Sequence, residues 1–253
     1  MKSLIKLTLL LFLLPVFGSN LAFAQFEGEI RYAIYNPSNQ LGEATGLNVT
    51  FTKDRIFVDS NISMNVMAGL NARGILVRND LNDFVVLTTD GDGLKVAKNE
   101  LDGLVNLMNR MQGKPENTQR TPFPWDEKVE ETGATKQIQG FNTHEFILKG
   151  DSPGEKTSVW LTDGIKVNWG LLLDAWYTTG SSQFEYEIPI EMVMNNTSFP
   201  LLVEVHEENE IVMRAEAMSV NNRNFDRSKT EIPSDLNVIG LTDLMMNFFR
   251  QQR

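Results

Sequence analysis

The chain has no cysteine and only two histidines, His144 and His206, among 253 residues. The missing thiols exclude a disulfide framework, a cysteine nucleophile, thiolate metal ligation and a lipid anchor on cysteine. Neither histidine has a second one at i+2 on a strand or i+4 on a helix, so the sequence shows no paired-histidine metal motif. The motifs H-E-x-x-H and G-x-S-x-G are also absent, and any serine hydrolase would depend on one of these two imidazoles as its base. Positive charge is scarce as well: 23 Lys and Arg stand against 33 Asp and Glu, for a net charge of −10. Without a basic cluster the chain is a poor partner for nucleic acid or for an anionic membrane surface.

One long apolar run is present, and it lies at the start. Lys2 and Lys6 supply a basic start, LIKLTLLLFLLPVF supplies the apolar run, and Ala22-Phe23-Ala24 follows as a small-x-small cleavage site. These three parts have the order of a secretory signal peptide over residues 1–24, with Gln25 as the first mature residue. The run is too short for a comfortable membrane span and is broken by Pro15 and Gly18. Later segments of that length all carry charges, so no membrane-spanning helix is expected. Removing Lys2 and Lys6, with no acid lost, leaves 21 − 33 = −12. An exported chain without disulfides must be held by its core, and residues 25–253 are enough for one β-rich domain.

From Phe26 onward apolar and polar residues alternate. FEGEIRYAIY, GLNVTF, RIFVDS, ARGILVRN, DFVVLTT and GLKVAK read as a first series of strands. EKVEETG, TKQIQGF, THEFILKG, KTSVWLTDG, FPLLVEVHEE and EIVMRAEAMSV read as a second. Turn residues separate them, which predicts an antiparallel meander in a mainly β, α+β protein. Two stretches change period. Glu100 to Met111 places Leu101, Leu104, Val105 and Met108 at helical spacing behind Asn99 as N-cap, and Leu241 to Gln251 does the same with Leu244, Met245, Phe248 and Phe249. Lys114 to Asp126 reads as a long exposed connection within one domain. LLLDAW, from Leu171 to Trp176, fits a short helix or an aromatic-packed loop.

Each group that could carry chemistry also has a plain structural role. His144 shares parity with Phe146 and Leu148 and is placed on the core side or its rim, whereas His206 is placed outward with Glu204. Asp90-Gly91-Asp92-Gly93 lacks the later ligands of a calcium loop, since Leu94 and Leu101 stand where oxygens belong, and reads as a hairpin turn. Glu130-Glu131 and Glu207-Glu208 point to alternate faces of a strand and cannot converge as acid/base pairs. Asn48, Asn61 and Asn195 begin sequons that matter only in a eukaryotic secretory path. Methionine is abundant, with 11 in the chain. Several fall on the two amphipathic segments, where they suit either core filling or an adaptable apolar pocket.

The opening QFEGEIRYAIY, the central VEETGATKQIQGFNTHEFILKG, the following KTSVWLTDGI and the late FPLLVEVHEENEIVMRAEAMSV resemble, in that order, the secreted family catalogued as domain of unknown function 4412. Its best marker here is Lys136-x-Ile138-x-Gly140-Phe141, and Thr143 stands where many members carry cysteine. That family is similar to the periplasmic lipoprotein-carrier fold of LolA and LppX. The resemblance implies a curved antiparallel sheet, an unclosed half-barrel, covered by two amphipathic helices. It also implies a non-enzymatic binder or carrier of an acyl or lipid-like ligand, without cofactor or metal, in the periplasm or outside the cell. Leu104, Met108, Leu244, Met245 and Phe248 would then line the apolar pocket. The alternatives are an envelope scaffold or protein-interaction module with a fully packed core, and a hydrolase built on one of the histidines.

Overall fold

A computed structural model describes residues 25–35, 44–67, 70–111, 125–150, 152–179 and 190–243. These described residues are mainly β, and their strands form one open 12-stranded sheet. The first series comprises β1 (Gly28–Tyr35), β2 (Thr45–Phe51), β3 (Arg55–Met67), β4 (Leu70–Arg78), β5 (Asp83–Thr88) and β6 (Gly93–Ala97). The second comprises β7 (Val129–Ile138), β8 (Phe141–Lys149), β9 (Lys156–Thr162), β10 (Phe199–Glu207) and β11 (Glu210–Asn221). A short β12 (Val238–Gly240) completes the sheet. Helices α1 (Lys98–Met111), α2 (Trp125–Lys128), α3 (Leu171–Thr179) and α4 (Ile190–Val193) lie in the connections.

The spatial order is β12-β6-β5-β4-β3-β2-β1-β11-β10-β9-β8-β7. Each series is therefore an antiparallel meander. The first runs outward from the middle to one edge, and the second returns from the other edge to the middle. They meet where β1 pairs with β11, so both sides of the 114–126 connection contribute to the same sheet. The expectation of a purely antiparallel meander needs one correction: β12 pairs with β6 in parallel. A three-residue strand carries too little periodicity to be read from sequence.

Local chemistry explains the tight turns. Gln139 (φ 50°) and Gly140 (φ 81°) form a two-residue connection between β7 and β8 with both residues left-handed, which suits the twist of the flanking strands. EKVEETG and TKQIQGF, read as separate strands, belong to the single strand β7. Its register against β8 jumps between Glu131 and Thr135, around Gly133 at φ 74°. Such a bulge on an edge strand, with Glu130, Glu131 and Lys136 along it, discourages pairing with other chains.

Register shows how the core is divided. Ile30 lies opposite Val49, Val49 opposite Val58, Val58 opposite Ile75, and Ile75 opposite Val86, so these residues share one face and belong to the main apolar cluster. On the reverse face Phe57 lies opposite Leu76 and Leu76 opposite Val85, and Ile232 and Leu236 from the C-terminal segment pack on them. Strand β5 is consequently buried along its whole length. The hairpin that enters it is clamped by Arg78 and Asp83, which face each other across the ladder. Arg78 Nε and Nη2 donate to the two carboxylate oxygens of Asp83, each at 2.6 Å, in a buried bidentate pair. A second buried carboxylate, Glu29, accepts from Arg31 Nε and Lys229 Nζ, both at 2.6 Å. Burial pulls its pKa up, but the two cations outweigh that and hold it below the ordinary value of 4.5.

Asp83→Ala strands a buried guanidinium and should cost about 3–5 kcal/mol, whereas the paired change Arg78→Met with Asp83→Leu should recover most of it. Urea unfolding of the three proteins checks this. Because the folded pKa of Glu29 is depressed, its contribution is present above the ordinary carboxylate value and lost as pH falls through the folded one. Thermal midpoints of Glu29→Gln should therefore lie below wild type at neutral pH, and the gap should close on acidification below pH 4.5.

Candidate functional site

The face bearing Ile30 and Val49 continues across the seam into the second meander. Ile34 lies opposite Ala215, Ala215 opposite Val203, Val203 opposite Val159, and Val159 opposite Phe146. Val159 and Val203 are buried, while Phe146, Met213 and Ala215 are half-buried beside them, with Met192 and Val193 of α4 packed against the group. One side of an open sheet thus carries apolar side chains from β6 to β8.

Helical elements are attached to the main part of this surface. Leu101 of α1 and Leu171 of α3 are buried in the main cluster, and Leu172, Leu173 and Ala175 pack on it. Helix α3 starts from an external cap: Asn79, in the β4–β5 turn, accepts the Leu171 N–H on Oδ1 at 2.9 Å. Gly170 permits this approach, because a Cβ there would lie 2.3 Å from that same oxygen, and its φ of 43° is left-handed. LLLDAW is thereby resolved as part of a helix. The start of α1 also differs from expectation. Glu100 Oε2 accepts the Ala97 N–H at 2.9 Å, so Ala97 takes the N-cap position and Asn99 lies in the first turn.

One end of the interior is closed by aromatic packing. Trp169 and Phe199 stack with centroids 5.6 Å apart, and Phe51 meets both edge-on at 5.7 and 5.8 Å. Trp169 Nε1 donates to the Asn195 carbonyl at 3.0 Å. The Asn195 side chain in turn accepts from the N–H groups of Thr197 and Ser198 and donates to the Met192 carbonyl, which folds the NNTS stretch tightly onto α4. Tyr32 also sits in the main cluster and donates its hydroxyl to the Pro200 carbonyl at 2.6 Å; burial pushes its phenol pKa upward.

Of the five residues expected to line a pocket, Leu104 and Met108 belong to α1, whose backbone is described at those positions but not the side chains. Leu244, Met245 and Phe248 lie outside the described residues. Their described neighbours Leu101 and Leu241 are both buried in the main cluster.

The two histidines are kept apart. His144 is exposed on β8, opposite Thr135 and Leu161, on the face of Phe146 and Val159. His206 occupies the reverse face with Glu204, where burial and then Lys156 lower its pKa. Ser158 donates to Glu145 at 2.7 Å rather than to an imidazole. Among the described residues no group of three or more His, Asp or Glu is placed to hold a metal ion. Asp90-Gly91-Asp92-Gly93 forms the β5–β6 turn, with Gly91 at φ 94°.

Sequence reading missed a polar array on the reverse face of the second meander. Lys136 Nζ stands 3.7 Å above the centre of the Trp160 ring, and Glu145 accepts from Ser158 and from Thr132 at 2.9 Å. Arg214 bridges Glu204 at 3.5 Å and Glu216 at 2.7 Å. Burial lowers the Lys136 pKa. The signal was the polar parity of strands β8 to β11, but which polar residues meet depends on register. Thr143, fully buried, donates to the Lys136 carbonyl at 2.9 Å and so holds β7 to β8.

No protein-family model matches the chain, and no curated protein matches it. Among solved structures it is similar to PNGF-II in two crystal forms. In space group P21 the identity is 10%, with 89% of this chain and 33% of that chain covered and a TM-score of 0.39. In space group C2 the identity is 12%, with 88% and 33% covered and a TM-score of 0.41. The chain therefore spans about a third of the length of the solved chains it matches, and at these TM-scores the likeness carries no argument about activity.

Proposed function

We propose that this chain is an exported, non-enzymatic protein of the cell envelope that binds an acyl or lipid-like ligand against the apolar face of its open sheet. In this reading residues 1–24 are removed on export, and the protein works in the periplasm or outside the cell as a half-barrel of the LolA and LppX kind. The observation that supports it is the run of apolar side chains in register from β6 to β8 on one face of an unclosed sheet, divided between the main cluster and the separate cluster of Val159 and Val203, with residues of α1, α3 and α4 packed on them. Burial of hydrocarbon supplies the affinity, at about 0.8 kcal/mol per methylene. The half-buried Phe146 and Met213 form the margin of the binding face. Met213, unbranched and polarizable, can adapt to chains of differing shape. Among the described residues no helix is long and apolar enough to cross a membrane.

A second reading is favoured by the aromatic group at the closed end. Phe51 and Phe199 are each only 1% exposed, as expected of a packed core. If such packing extends throughout, the protein is an envelope scaffold or protein-interaction module.

The two readings separate by mass spectrometry of organic extracts from protein exported in a Gram-negative host. A stoichiometric acyl lipid is expected; an empty protein that also refuses acyl probes selects the scaffold. Probe affinity should fall about fourfold for each methylene removed, the factor equivalent to 0.8 kcal/mol. Phe146→Asp should weaken binding at least tenfold while leaving the unfolding midpoint in urea close to wild type.

A further inference from the structure

The C-terminal segment from Asn222 to Asp243 is a belt that passes around one edge of the sheet. It leaves β11 in the middle and crosses the face opposite the proposed ligand surface. There Arg227 pairs with Glu27, Lys229 with Glu29, and Arg55 with Glu231, and Arg55 Nη1 donates to the Thr230 carbonyl at 3.1 Å. Ile232 and Leu236 plug the small cluster of Phe57, Leu76, Val85 and Leu87. Gly93 leaves the seat for Leu236, whose Cδ2 would lie 2.7 Å from a Cβ at that position. At the edge, Gly93 donates its N–H to the Asn237 carbonyl at 2.8 Å, Asn237 Nδ2 donates to Asp92 Oδ1 at 3.2 Å, and β12 runs beside β6. Beyond Gly240 the chain has reached the other face. Leu241 is buried in the main cluster, and Thr242 Oγ1 donates to Glu100 Oε1 at 3.0 Å.

Glu100 joins the two systems. One carboxylate oxygen caps the first turn of α1 through Ala97, and the other holds the belt through Thr242. The belt is also weakly attached compared with the long strand ladders. Its sheet contact is three residues long, its plug is two half-buried side chains, and two of its ion pairs involve exposed partners, Arg227 at 63% and Glu231 at 64%. Exposed pairs contribute little and are screened by salt. Segments with few buried contacts open below the global unfolding free energy and do so as cooperative units.

We infer that the belt is the catch of the apolar interior: when residues 238–243 peel from β6, the first turn of α1 is released with them. The role of this opening as an entry step rests on the ligand-binding reading above, but the coupled opening does not. Hydrogen exchange on the full chain tests the coupling. Leu236→Ala, and separately Glu231→Gln, should accelerate exchange in 238–243 and in 98–103 by the same factor, roughly tenfold for Leu236→Ala, with β1 and β11 unchanged. Acceleration that stops at Gly240 overturns the inference. The absence of native cysteine permits a second test, in which Asp92→Cys with Asn237→Cys closes the belt by a disulfide. Uptake of a fluorescent acyl probe should be at least tenfold slower in the oxidised form than in the reduced one, and equal rates overturn the catch. Uptake in neither form, with coupled exchange intact, overturns the ligand reading and leaves the coupled opening standing.

Discussion

The pairing of β1 with β11 is the constraint on which the rest of the architecture depends. It joins strands almost at opposite ends of the described chain, and without it the two meanders would be separate sheets. Its register sets the continuity of both faces. Ile34 opposite Ala215 carries the apolar side across the seam, and Ala33 opposite Glu216 carries the polar side. A one-residue slip would exchange these faces over the whole second meander. Loop closure over so long a separation is entropically costly, and the paired register of the seam must offset it. Tyr32, in β1, pins the seam to the neighbouring meander through the Pro200 carbonyl.

Given that seam, burial is distributed unevenly. Strands β3 to β5 are covered on both sides, by the main cluster on one and by the belt's Ile232 and Leu236 on the other. The second meander instead has one side bearing Val159, Val203 and Met213, and another on which Trp160 and Leu202 of the main cluster lie among Lys136, Glu145, Glu204, Arg214 and Glu216. Among the described residues the buried charges have compensating geometry, as in the bidentate Arg78–Asp83 pair and the doubly paired Glu29. The same physics ties the belt down: its charged anchors lie over β1 to β3, and its apolar plug lies over β3 to β5.

Among the described residues the candidate catalytic groups weighed from sequence do not converge. The imidazoles sit on opposite faces of the sheet, and the serine beside Glu145 is satisfied by that carboxylate. What the fold does offer is an apolar face on an unclosed sheet with an attached belt.

Much of the strand content was legible from residue alternation, since a strand with one wet face must alternate: GEIRYAIY and FPLLVEVHE are examples. Helical spacing likewise identified α1, and the outward parity of His206 was readable from Val203 and Val205. Composition alone excluded every role that needs a thiol. Other features required the tertiary structure. The bulge around Gly133 merges two apparent strands, because ladder hydrogen bonds continue past residues that leave the alternating pattern. Asn79 caps a helix that begins 92 residues later, and Glu100 joins Ala97 to Thr242; no local window contains both partners of either long-range bond. The sequence by itself determined which residues could form a strand face and that the chain offers no thiol. Only the tertiary structure decided which faces became continuous and what covers them, because register and long-range pairing are properties of strands brought together, not of any strand alone.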